Sequence, residues 1–65
     1  MRLIVNGVER DVPAQTLAAA LQGLDYADAV VATALNGEFV PARLRAETPL
    51  AEGDRLEIVA PRQGG

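Results

Sequence analysis

Sixty-five residues fit one domain, and a chain of that size buries only roughly 60% of the surface it would expose unfolded, too little to build a deep enzyme pocket. Cys and His are absent, which removes disulfides, Cys/His metal sites, thiol nucleophiles and imidazole bases. Nine acids stand against six basic residues, all of them Arg, for a net charge of -3; that balance disfavours nucleic acid and suits a protein partner with a basic docking surface.

Residues 1–5 are a β-branched and aliphatic run, read as a first strand near 2–6, that ends at Asn6-Gly7. Asn-Gly supplies the two positive φ angles of a type I′ hairpin turn, so residues 8–12 are read as the returning strand, stopped by Pro13. Thr16 suits a helix N-cap, because its hydroxyl can accept a free backbone N–H of the first turn. Leu17, Leu21 and Leu24 then fall on one face of a helix expected near 17–24, with Gly23 marking its end. So short a helix must be held by packing rather than by propensity.

Residues 30–35 read as the third strand, and a second Asn-Gly at 36 and 37 turns it into a fourth at 38–40, ended by Pro41. Residues 42–49 read as a surface loop with room for one helical turn, anchored by Leu50. Glu52-Gly53-Asp54 makes a tight turn in which Gly53 supplies positive φ and Asp54 bonds nearby backbone. The fifth strand is expected at 55–60.

Two hairpins around one helix make an α+β pattern. It suits a β-grasp, ubiquitin-like domain over residues 1–60: a mixed sheet of four to five strands with one helix across one face, and the first and last strands parallel in the middle. Leu3, Val5, Leu17, Leu21, Leu50, Leu56 and Ile58 are the expected core. With Leu3, Val5, Leu56 and Ile58 turned to the helix, period-2 alternation turns Ile4 and Val59 to the open face, as a partner docking surface.

Residues 61–65 are read as a flexible tail ending in Gly-Gly. A carboxylate becomes an acyl donor only when activated, and a tail without Cβ atoms can thread a narrow nucleotide site. Five extended residues reach roughly 17 Å, so the body can stay outside the partner. Gly65 would carry the reacting carboxylate; Gly64, Gln63 and Arg62 would thread and place it. Asp25 with Asp28, and Glu52 with Asp54, are solvated turn acids rather than general acid/base pairs, and no metal-ligand spacing occurs. No run of eighteen apolar residues is present to cross a membrane, and the chain is expected in the cytoplasm.

Several segments together resemble the ThiS family of thiamin-pathway sulfur carriers. They are Ile4-Val5-Asn6-Gly7, the Thr16-Leu17 helix start, Ala34-Leu35-Asn36-Gly37-Glu38-Phe39-Val40-Pro41, Leu50-Ala51-Glu52-Gly53-Asp54, Leu56-Glu57-Ile58-Val59 and Gln63-Gly64-Gly65. The resemblance implies a β-grasp carrier that is not an enzyme and binds no cofactor of its own. A ThiF-type adenylating enzyme, resembling the ubiquitin-activating enzymes, would use Mg-ATP to adenylate Gly65. Sulfur from a cysteine desulfurase or another donor would then give a thiocarboxylate for a ThiG-type thiazole synthase. Pro61, and Arg43 and Leu44 where an aromatic is common nearby, depart from the usual family pattern. The chain is also similar to the molybdopterin-synthase small subunit, whose tail likewise contains proline. A ubiquitin-like modifier joined to lysines through Gly65, and a plain interaction module, are the readings outside sulfur transfer.

Overall fold

The computed structural model describes residues 1–60. Pro61, Arg62, Gln63, Gly64 and Gly65 lie outside the described residues, and with them the sequence reading of a tail.

The chain runs β1 (Arg2–Val5), β2 (Val8–Asp11), α1 (Leu17–Gly23), β3 (Ala32–Leu35), β4 (Glu38–Val40), a 3₁₀ helix (Ala42–Glu47) and β5 (Arg55–Val59). One sheet holds all five strands in the order β2-β1-β5-β3-β4. β1 and β5 are parallel neighbours, and the other pairings are antiparallel. This is the expected β-grasp arrangement.

Both hairpins turn as their Asn-Gly pairs dictate. Val5 faces Val8 and Leu35 faces Glu38, leaving two residues in each loop. Asn6 and Asn36 have φ of 50° and 51°, and Gly7 and Gly37 have 82° and 88°, the left-handed pairs of a type I′ turn. That geometry takes Asn6 out of β1, which therefore stops at Val5 rather than at residue 6.

Thr16 caps α1 by accepting a 3.2 Å bond from the Ala19 N–H. The helix closes at Gly23, with Leu24 as its C-cap donating to the Ala20 carbonyl. Leu17, Ala20 and Leu21 are buried against Leu3, Val5, Leu56 and Ile58, and Leu50 joins them from the loop before β5. All seven expected core residues are buried, together with Val12, Ala14, Ala20 and Val40.

Other bounds differ from the sequence reading: α1 ends at Gly23 rather than residue 24, and β5 at Val59 rather than residue 60. β3 begins at Ala32, not at residue 30, because β5 ends at Val59, the partner of Ala32. Residues 30 and 31 thus have no strand beside them on β5, and Val30 is 78% exposed. Residues 42–47 form a six-residue 3₁₀ helix instead of a loop with one turn. Arg45 explains its attachment: Nε donates to Thr33 Oγ1 at 3.1 Å and Nη2 to the Val31 carbonyl at 2.6 Å. Finally, β2 stops at Asp11, and Val12 turns inward at 2% exposure.

Candidate functional site

Strand alternation gives the sheet two unlike faces. Leu3, Val5, Thr33, Val40, Leu56 and Ile58 point to the helix and are buried. Arg2, Ile4, Ala32, Ala34, Phe39, Arg55, Glu57 and Val59 occupy the other face. No element covers that face among the described residues, and Ile4 and Ala34 are its half-buried members.

The register decides which of these residues meet. Ile4 lies beside Arg55 on β5 and Glu9 on β2, so charged neighbours flank it on both sides. Val59 lies four residues farther along β5, about 13 Å at the rise of a strand, with Glu57 between. The structure therefore places Ile4 and Val59 on one face but does not bring them together. The expectation of a shared patch overlooked that β1 turns away at Asn6 before it draws level with Val59.

Val59 instead pairs with Ala32, and Ala34 with Phe39 on the next strand. Val59 is 62% exposed and Phe39 69%. With Val30 and Val31 they make an apolar strip over β5, β3 and β4; its Val30–Val59 end is a shallow groove of about 290 Å³. An exposed apolar area of this kind is a candidate interaction surface. The strip ends at Val59, the last residue of β5. Phe39, Ala32 and Val30 escaped the sequence reading although a signal existed. A two-residue turn at Asn36-Gly37 sets Leu35 opposite Glu38 and so puts Ala34 and Phe39 together on the face away from Thr33.

The Ile4 end of the face is different in kind. It forms an open depression of about 570 Å³ between the hairpin tips, lined by Ile4, Asn6, Asn36, Arg55 and Glu57 among others. Asp54 Oδ2 accepts from the Ala51 N–H at 2.8 Å, and Asp54 Oδ1 accepts from Asn36 Nδ2 at 3.0 Å, so this acid is committed to the turn before β5. Glu52 likewise accepts from the Arg2 N–H through both oxygens. Both are thus bonded to backbone at this turn, where the sequence reading had solvated turn acids. Among the described residues, no three acids cluster closely enough to hold a metal ion, and no helix is long and apolar enough to cross a membrane.

What the described residues provide is a five-stranded sheet whose open face carries an apolar strip at the end of β5. The residues assigned to the reaction from sequence, Gly65 with Gly64, Gln63 and Arg62, lie beyond the described part.

Comparison with known proteins agrees with the fold. The ThiS family model matches residues 3–65. The crystal structure of a thiamine biosynthesis protein (ThiS) from Geobacter metallireducens superposes with a TM-score of 0.83 at 30% identity, covering all of both chains. A thiazole synthase from Paramagnetospirillum magneticum is 41% identical over 66 residues; the match takes in the whole of this chain but only 20% of that protein.

Proposed function

Because this chain belongs to the ThiS family, we propose that it is a sulfur carrier of thiamine biosynthesis whose Gly65 carboxylate is the reacting group. It is a substrate of other proteins and not a catalyst. The observation that carries this reading is the family match, which runs through the Gly64-Gly65 pair. The structural likeness to a thiamine biosynthesis protein over the full chain supports it.

The fold is compatible with the following division of labour. A ThiF-type adenylating enzyme holds Mg-ATP and docks on the strip of Val59, Ala32 and Phe39, with Ile4 at the margin. Residues 61–65 reach its nucleotide site, with Arg62 and Gln63 placing the segment and Gly64 passing the narrow part. The Gly65 carboxylate attacks the α-phosphorus of ATP and pyrophosphate leaves. The outer sulfur of a persulfide, supplied through a cysteine desulfurase or an equivalent donor, then displaces AMP to give an acyl disulfide, and a thiol cleaves its S–S bond to release the terminal thiocarboxylate with formation of a disulfide. All of this takes place in the cytoplasm.

Thiazole synthase is the proposed acceptor of the sulfur. The relative of that name contains a region similar to this whole chain, which supports a carrier and acceptor that work side by side. The ThiS match also favours thiazole formation over the molybdopterin-synthase reading.

The test is ATP–pyrophosphate exchange with the adenylating enzyme, followed by single-turnover transfer to a thiazole synthase or to a molybdopterin-synthase large subunit. Exchange that depends on Gly65, with sulfur delivered to the thiazole, is expected. Delivery only to the molybdopterin partner replaces the thiamine assignment, and no exchange removes the carrier assignment.

A further inference from the structure

β5 has an unusual neighbour at its upper end. In a parallel pair, a residue donates to the carbonyl before its partner and accepts from the N–H after it. Asn6 keeps the first half of this pattern, since its N–H donates to the Leu56 carbonyl at 2.9 Å. Were β1 to continue, the Asn6 carbonyl would accept from the Ile58 N–H, and the N–H of residue 8 would donate to the Ile58 carbonyl. The turn at Asn6-Gly7 removes both backbone groups.

The Asn6 side chain replaces them. Its Oδ1 accepts from the Ile58 N–H at 2.8 Å, and its Nδ2 donates to the Ile58 carbonyl at 3.1 Å. One primary amide thus serves as the missing peptide unit, satisfying both polar groups of Ile58 on the side where the sheet has ended. Ile58 is also the last residue of β5 with a buried side chain, and only Val59, held from the other side by Ala32, follows it in the strand.

We propose that Asn6 is a positioning residue for sulfur-carrier activation: its side-chain amide locks Ile58 and so fixes where residues 61–65 leave the body. The role rests on the carrier reading above. Without the lock, the β1 side of β5 loses its last pair of bonds, and the exit point gains freedom while the apolar strip of Ala32 and Phe39 stays intact. Docking is preserved and alignment in the nucleotide site suffers.

Asn36 provides the matched control. It holds the same relative place in the other hairpin, and its amide also grips β5, accepting from the Arg55 N–H at 3.0 Å and donating to Asp54 at 3.0 Å. Its hold is at the start of β5, away from the exit.

The experiment compares the wild type with Asn6→Gly, Asn6→Asp and Asn36→Gly, all of which tolerate the positive φ of the turn. Amide hydrogen exchange at Ile58 and steady-state kinetics of carrier adenylation are measured on each. In Asn6→Gly, exchange at Ile58 should quicken roughly tenfold as two backbone groups lose their partner. The adenylation kcat should fall by about tenfold, since reacting groups tolerate little misplacement, while KM moves less than about threefold. Asn6→Asp, which keeps the acceptor and loses the donor, should fall between. Asn36→Gly should leave Ile58 exchange and kcat at wild-type values. Faster exchange with kcat unchanged in Asn6→Gly overturns the positioning role alone, as does an equal kcat loss in Asn36→Gly. A wild type that is not adenylated at all overturns the carrier reading and the role that rests on it.

Discussion

Val59→Asp separates docking from folding. Val59 is 62% exposed on the open face and pairs with Ala32, so an aspartate there keeps its charge in water in the free protein. The cost to the fold is the lower strand preference of Asp, within about 1 kcal/mol. In the complex the same carboxylate would be pressed against an apolar surface. A well-packed interface residue is worth about 2 kcal/mol, and at 1.4 kcal/mol per decade this raises KM for the carrier roughly 30-fold. The assay is the initial rate of pyrophosphate exchange against carrier concentration, with urea unfolding of each variant alongside. Val8→Asp is the control: Val8 is 59% exposed and takes the same change of charge, but its pairing with Val5 puts it on the opposite side of the sheet. An unchanged KM in Val59→Asp, or an equal rise in Val8→Asp, refutes the strip as the docking surface. Ile4→Asp belongs in the same series. Its half-buried position beside Arg55 and Glu9 predicts a smaller rise than at Val59; a larger rise would move the interface to the hairpin end of the face.

Leu21→Ala removes a side chain that is 4% exposed in the core, and urea unfolding should show a loss of about 2–5 kcal/mol, a large share of a small domain's stability. Thr33→Val removes a buried hydroxyl that donates to the Val40 carbonyl at 2.8 Å and accepts from Arg45 Nε; a loss of about 1–3 kcal/mol is expected by the same measurement, and a gain would mean that Arg45 finds other partners. Deleting Gly65, or making Gly64→Val, should leave the unfolding curve unchanged and abolish ATP-dependent sulfur loading, read by the mass of the protein after reaction.

The fold was legible because its signals are local. Two Asn-Gly pairs have few other uses between aliphatic runs, and each fixed a turn, a register and hence a face. Leu17 and Leu21 then identified the buried side of α1, and alternation along β1 and β5 did the same for the sheet. Of the 3₁₀ helix at 42–47 only room for one turn was legible, since its full length goes with Arg45 reaching Thr33 and Val31, contacts that exist only once β3 is in place. The candidate site was legible in part. Alternation correctly put Ile4 and Val59 on the open face, but their separation follows from the offset between β1 and β5, which no local pattern encodes. The double bond from Asn6 to Ile58 was hidden for the same reason: it joins residues 52 apart in sequence.

The central claim is tested most directly by the intact mass of the protein after incubation with its adenylating enzyme, Mg-ATP and a sulfur donor, with fragmentation to locate any change. The account predicts one oxygen replaced by sulfur, confined to Gly65 and absent when ATP is withheld. An unchanged mass, or an amide link from Gly65 to a lysine of another protein, would contradict it.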